Sequence, residues 1–102
     1  PVGRGYVRLE STAAHPWLPP DSHPDEIPAH EFHYSSLENL DPATRFAYEV
    51  KRGHGADGAH DGIVYKNLLA SYTHLRSAGN CNWAARFAGF ARQRKLLPTP
   101  TP

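Results

Sequence analysis

The sequence predicts a small α/β domain in which several short β-strands are followed by a single helix near the C-terminus. The chain has 102 residues, of which 39% are hydrophobic, enough for one modest core. Several segments before residue 73 alternate between apolar and polar side chains, as a half-buried strand does. Residues 83–91 instead carry their apolar side chains at helical spacing.

Short apolar or alternating segments predict four or five strands. These segments are residues 5–10, 30–37, 46–50, 63–65 and 68–72. Val7 and Leu9 share one face of the first, and Phe46, Tyr48 and Val50 are expected to point inward from the third. The last segment is an apolar run and predicts a buried strand.

The second predicted strand carries an unusual set of side chains. Period-two alternation places His30, Phe32 and Tyr34 on one face, and Glu31 with His33 on the other.

The connections follow from proline and glycine. Residues 11–28 contain five of the ten prolines and predict an irregular loop, which Trp17 and Leu18 are expected to pin to the body. Residues 53–62 contain four glycines and predict a flexible hairpin loop.

The C-terminal segment predicts one amphipathic helix. Asn80 or Asn82 can cap it and Pro98 ends it. Its packing stripe consists of Trp83, Phe87, Phe90 and Ala91. Residues 1–97 then form the domain, and residues 98–102 a Pro/Thr tail.

Composition excludes several kinds of protein. Eleven Lys and Arg against ten Asp and Glu give a net charge of +1, which argues against nucleic-acid or membrane binding through bulk charge. No apolar run is long enough to span a membrane. The single cysteine excludes an internal disulfide framework and favours the cytoplasm. The chain contains no Met and begins with Pro1, so we expect it to be a piece of a longer protein.

Seven histidines first suggest a metal site. His30 and His33 are three residues apart, but on a strand that spacing puts them on opposite faces. No cysteine pair accompanies them, and zinc needs about four converging ligands. The sequence therefore predicts surface and packing histidines and no bound metal.

Two residues could carry chemistry. Cys81 stands just before the predicted helix, where a thiol can acidify, but no base is fixed beside it. His74 follows the apolar run directly, where catalytic groups commonly lie, and an imidazole there could act as a general base. The residues alone also allow a structural role for either.

Two segments resemble one family. His30-Glu31-Phe32-His33-Tyr34-Ser35 is similar to the Gly-His-Glu-Phe-His-Tyr-Ser motif of cobyrinic acid a,c-diamide synthases. Asn67-Leu68-Leu69-Ala70-Ser71-Tyr72-Thr73-His74-Leu75 resembles their segment with the catalytic histidine. The resemblance covers residues 3–94.

The resemblance implies the C-terminal part of a class I glutamine amidotransferase domain, which is flavodoxin-like, in an ATP-dependent ligase of cobalamin biosynthesis. His74 would be the base and acid of its Cys–His pair. Glu31, His33, Tyr34 and Tyr72 would bind glutamine or support its site. ATP, Mg²⁺ and the corrin or other tetrapyrrole would be bound by an N-terminal domain, and no cofactor by these residues.

The sequence departs from the family at several points. No cysteine lies on a glycine-flanked elbow upstream, and no Gly-x-x-x-x-Gly-Lys-Ser/Thr occurs. Arg76 stands where many class I amidotransferases have a glutamate that orients the histidine, so another carboxylate, such as Glu31, would be needed. Ala29 replaces the motif's glycine.

We therefore expect the histidine-bearing part of a glutaminase, inactive by itself, whose nucleophile comes from the missing half of the domain. Two alternatives remain open. One is a stand-alone binding module that keeps this scaffold without catalysis and pairs with a second copy. The other is a small histidine-rich metal protein.

Overall fold

The computed structural model describes residues 1–17, 26–75 and 83–96 and contains six strands and one helix. The strands are β1 (Gly3–Ser11), β2 (Glu26–His33), β3 (Arg45–Arg52), β4 (His60–Tyr65), β5 (Leu68–Ala70) and β6 (His74–Leu75), and the helix is α1 (Trp83–Leu96). The predicted class, mostly strands followed by one helix, is confirmed.

These six strands belong to one sheet, in the order β5-β4-β3-β1-β2-β6, and the five pairings between neighbouring strands are antiparallel. β1 lies between β2 and β3, and an irregularity at Arg8 and Leu9 shifts its register against β3. A strand at the centre of a sheet has both edges paired, which explains why Leu9 is fully buried.

Several strand boundaries differ from the prediction. β1 is longer at both ends, and β2 begins at Glu26 and ends at His33, so that Pro28 lies within a strand. β4 begins at His60 rather than residue 63. The glycines of residues 53–62 therefore straddle a turn and the start of a strand.

The apolar core is small and is formed by side chains of the central strands. Its buried members are Val7, Leu9, Ala29, Ala47 and Tyr48. Tyr48 faces inward as expected, whereas Val50 and Phe46 are only half-buried. Phe46 stacks on the His60 ring, with centroids 4.9 Å apart.

The apolar run from Leu68 was expected to be a buried strand, and that prediction is wrong. β5 is an edge strand that pairs only with β4, and Leu68 is 56% exposed. An edge strand has neighbours on one side only, so its side chains are covered less than those of an interior strand.

The segment 71–73 joins the two edges of the sheet, because β5 forms one edge and β6 the other. From Ala70 to His74 an extended chain reaches at most about 14 Å. A flat sheet of six strands would separate its edges by roughly 24 Å, at about 4.8 Å per strand step. The sheet must therefore curl until its edges approach each other. We call residues 71–73 the closing segment.

Helix α1 lies on the outside of the sheet. None of its residues is buried. Trp83 donates its indole N–H to the Leu75 carbonyl at 3.2 Å, and Phe87 meets Trp17 edge to face at 4.9 Å. Trp17 thus ties the proline-rich loop to α1. The predicted stripe is wrong in its burial: Phe87 is 45% exposed and Ala91 is exposed as well.

Several sequence predictions fall outside the described residues: Leu18, the cap at Asn80 or Asn82, the stop at Pro98 and the C-terminal tail. No helix within the described ranges is long and apolar enough to cross a membrane.

A buried carboxylate joins β2 to the turn after β3. Glu31 is 1% exposed and accepts the backbone N–H of His54 at 2.7 Å and of Gly55 at 3.0 Å. Gly53 has a φ of +121°, and a Cβ there would lie 2.7 Å from Glu31 Oε2 and 2.8 Å from Val7 Cγ2. This turn therefore needs glycine for both its conformation and its close approach to the carboxylate.

His15 lies beneath the first loop as a neutral imidazole. Its Nδ1 accepts the backbone N–H of Trp17 at 3.1 Å, so Nε2 carries the proton and donates to the Tyr48 hydroxyl at 3.0 Å. Burial, with the nearby positive charge of Arg86, lowers the pKa of His15 to about 4.

Gly53→Ala should destabilise the sheet more than Gly5→Ala. Both glycines have positive φ, so both variants carry backbone strain, but a Cβ at Gly5 meets nothing within 4 Å. We expect Gly53→Ala to lower the free energy of unfolding by roughly 1–3 kcal/mol more, measured by urea denaturation. Equal losses would show that the turn does not press on Glu31.

Acid should weaken the fold through His15. The folded-state pKa is about 4 against 6.5 for an unperturbed histidine, so the stabilising contribution is complete above pH 6.5 and is lost as pH falls toward 4. The urea midpoint of the 102-residue chain should fall across this window, and less steeply in His15→Gln. His30→Gln, which removes an exposed histidine, is the control and should keep the wild-type slope.

Candidate functional site

The side chains of Glu31 and His33 form a buried pair at the end of β2. His33 Nε2 donates to Glu31 Oε1 at 2.6 Å, and His33 Nδ1 donates to the Ser35 carbonyl at 2.8 Å. Both ring nitrogens face acceptors, so the ring makes both bonds only with a proton on each nitrogen. The His33 ring therefore bridges the Glu31 carboxylate and the Ser35 carbonyl.

Glu31 is held in its ionised form. Burial alone would raise the pKa of this carboxyl, but hydrogen bonds from His54 N, the His33 ring and Gly55 N outweigh burial and lower it. With these partners Glu31 is fully engaged in holding the end of β2 against the glycine turn.

Tyr72, in the closing segment, packs on this pair. Its ring stacks on the His33 imidazole with centroids 4.4 Å apart and planes inclined by 19°. Its hydroxyl lies 2.7 Å from Ser35 Oγ. The structure thus brings Glu31, His33 and Tyr72 together, as three of the residues that the sequence singled out.

Tyr34, the fourth supporting residue predicted, is not part of this group. It is 71% exposed and meets Phe32 edge to face at 5.5 Å. Alternation explains the separation, since Phe32 lies on the face of β2 opposite Glu31 and His33. At this end of β2 the polar side chains of Glu31 and His33 are buried while the aromatic ring of Phe32 is exposed, the reverse of the usual arrangement.

His74 opens β6 and is exposed. It pairs directly with His30 on β2, which in turn pairs with Tyr6 on β1. Residues directly opposite each other in antiparallel strands share a face, so the three rings form a row across the exposed side of the sheet. The Tyr6 and His30 rings are 6.0 Å apart.

Glu31 lies on the other face of β2 from His30 and therefore from His74. The structure does not bring this carboxylate to the His74 imidazole, although the sequence suggested it as a possible orienting group. Arg76 and Cys81 lie outside the described residues.

Asp61 on β4 is a residue that sequence reasoning missed. It is fully buried, and its two oxygens accept the backbone N–H groups of Tyr72 at 3.0 Å and Thr73 at 2.8 Å. In the sequence, Asp61-Gly62 follows a glycine-rich segment and resembles any exposed turn. The only available signal was the apolar run after Gly62, which allows the strand to begin earlier.

Among the residues that the sequence singled out, His74 has an imidazole that is exposed. The residues before it are held by buried side chains: Asp61 accepts the amides of Tyr72 and Thr73, and His33 stacks on Tyr72. Residues 1–17, 26–75 and 83–96 contain no cysteine, and no three His, Cys, Asp or Glu side chains among them gather as metal ligands. A reaction that uses a thiol nucleophile would need it from outside these ranges.

Comparison with known proteins places this chain in a family. Residues 3–80 match the family described as the CobB/CobQ-like glutamine amidotransferase domain. No solved structure matches.

Curated relatives agree with this match. A cobyrinate a,c-diamide synthase of Magnetococcus marinus is 47% identical over 98% of this chain and 21% of its own length. One of Archaeoglobus fulgidus is 40% identical over 69% of this chain and 15% of its own length. The chain thus spans about a fifth or less of these relatives. A match over most of the chain nevertheless establishes kinship, and the chain belongs to the family of CobB/CobQ-like glutamine amidotransferase domains.

Proposed function

We propose that these 102 residues are the C-terminal part of the glutaminase domain of an ATP-driven cobyrinic acid a,c-diamide synthase, and that His74 is its proton-transfer residue. The observation that carries the proposal is the 47% identity over 98% of the chain to a cobyrinate a,c-diamide synthase. The position of His74 supports it, because the imidazole is exposed while the segment before it is anchored.

The proposed chemistry divides one hydrolysis into two steps. His74 takes the proton of a cysteine thiol supplied by another part of the protein, and the thiolate adds to the carboxamide carbon of glutamine. His74 then returns the proton to the departing ammonia, leaving a glutamyl thioester. In the second step His74 takes a proton from water, the resulting hydroxide displaces the thiolate from the thioester, His74 returns the proton to the thiolate, and glutamate leaves.

The buried pair of Glu31 and His33 has a supporting part in this proposal. Its atoms face away from His74, so it acts by holding Tyr72 through ring stacking. Glutamine would then bind on the exposed face, where His74 lies. Tyr34 directly follows β2 and is exposed, so its side chain is available to the bound glutamine.

The remaining parts of the reaction are assigned outside this chain. ATP and Mg²⁺ would activate the substrate carboxylate in the N-terminal domain, and the corrin or related tetrapyrrole would bind there. The ammonia released from glutamine would pass to that centre. We propose that the complete enzyme is cytoplasmic, because the single cysteine of these 102 residues fits a reducing compartment.

His74→Ala in the complete protein should abolish amidation driven by glutamine and spare amidation driven by added ammonium. The imidazole is needed only to release ammonia. The measurement is the rate of product formation with each nitrogen source. Equal loss of both activities, or no loss of either, would contradict the proposed role.

The matched control is His30→Ala, which removes an imidazole from the same exposed face, directly opposite His74 in the sheet. It should retain most of the glutamine-dependent rate. A loss as severe as that of His74→Ala would mean that the assignment to His74 is not specific.

The coding sequence that precedes the codon of Pro1 gives a second test. It should encode a cysteine on a glycine-flanked elbow and, further upstream, a Gly-x-x-x-x-Gly-Lys-Ser/Thr loop. A start codon directly before Pro1, with neither motif upstream, would favour the stand-alone binding module instead.

A further inference from the structure

We propose that Asp61 is a positioning residue for His74: its buried carboxylate holds the backbone of Tyr72 and Thr73 and thereby sets where the His74 imidazole lies. The catalytic consequence rests on the proposed function, whereas the structural consequence can be measured without it. Within the described ranges Asp61 makes hydrogen bonds to the amides of Tyr72 and Thr73 and none to His74, so its effect is exerted through the chain.

The closing segment has few other means of support. β6 contains only two residues, which pair with Ala29 and His30, and residues 71–73 belong to no strand. The N–H groups of Tyr72 and Thr73 therefore find no ladder partner. Asp61 supplies an acceptor for each, at 3.0 and 2.8 Å, immediately before His74 in the chain.

The charge of Asp61 is costly, which argues that its bonds matter. Its side chain is fully buried, and among the described residues no Lys, Arg or His lies within salt-bridge distance of it. Burying a carboxylate without a counter-ion is unfavourable unless strong hydrogen bonds compensate. The two amide donors of the closing segment provide that compensation.

Tyr72 is anchored twice, once by each buried carboxylate. Its ring rests on His33, which Glu31 holds, and its amide binds Asp61. The ring contact fixes a side chain, which can rotate about its own bonds. The amide contacts fix the peptide planes that lead directly into His74, so Asp61 has the greater control over the imidazole.

Asp61→Asn is the first variant to measure. The amide oxygen of asparagine can accept one N–H, but its NH₂ group would face the other donor. By NMR hydrogen exchange on the 102-residue chain, we expect the Tyr72 and Thr73 amides to lose at least tenfold protection while β1 and β3 keep theirs. The His74 ring resonances should shift as well.

Asp61→Glu is the second variant, and it keeps the charge if Asp61→Asn does not fold. A cavity of about 180 Å³ borders Asp61, lined also by Ile63 and Ala70, and leaves room for one more methylene. In the complete protein, Asp61→Glu displaces the carboxylate and should lower the glutamine-dependent kcat about 100-fold. The KM for glutamine should change little, and the ammonium-dependent turnover should not change.

Asp41→Asn is the control. Asp41 also accepts a backbone N–H, that of Ala43 at 2.8 Å, but in the turn before β3 and away from both Asp61 and the closing segment. It should leave protection at Tyr72 and Thr73, and both activities, unchanged.

Three results would overturn the inference. The first is full protection of the Tyr72 and Thr73 amides in both Asp61 variants, and the second is loss of protection throughout β1 and β3 in both. The third is that a folded Asp61→Glu variant of the complete protein keeps its glutamine-dependent turnover although the separate His74→Ala variant has lost it. Failure of the proposed function has a different signature, because His74→Ala would then keep its glutamine-dependent rate whatever Asp61 does to the amides.

Discussion

The buried carboxylate of Glu31 is the interaction on which the arrangement of this molecule depends. It lies at the end of β2 and takes three hydrogen bonds, from the His33 ring and from two backbone amides of the turn after β3. These contacts bring together elements that are not neighbours in the sheet order. Removing the carboxylate would leave its three buried donors without an acceptor, and this lowers the free energy of unfolding by more than the net contribution of the hydrogen bonds. The apolar core is small enough that this polar centre has to share in holding the fold.

Asp61 repeats the same principle on the other side of the closing segment. Both carboxylates are buried and both accept two backbone N–H groups, one pair from a glycine turn and the other from Tyr72 and Thr73. Backbone donors suit this purpose because they are fixed by the chain and carry no charge to be neutralised. An irregular segment gains definite geometry in this way without regular secondary structure. The consequence is that an exposed histidine follows two residues whose amides Asp61 holds, one of which, Tyr72, also stacks on His33.

Local patterns in the sequence predicted the parts of this fold that depend on local physics. Alternation identified β1, β3 and the two faces of β2, and helical spacing identified α1. Alternation cannot say which face of a strand is buried. In β2 the face that carries Glu31 and His33 is buried because Glu31 finds its hydrogen-bond donors 23 and 24 residues away in the chain. The same limit applies to Asp61, whose partners lie 11 and 12 residues away. Leu68 is exposed because β5 falls at an edge, and edge position is a property of the whole sheet. His74 was found through a family motif, and its exposed row with His30 required the strand register.

The central claim is that His74 serves a cysteine that these residues do not provide. A crystal structure of the complete protein tests this most directly. The account predicts a cysteine Sγ within roughly 3–4 Å of the His74 imidazole, on the exposed face that His74 shares with His30 and Tyr6. A structure in which His74 remains in solvent, or is covered by a surface without a thiol, would contradict it.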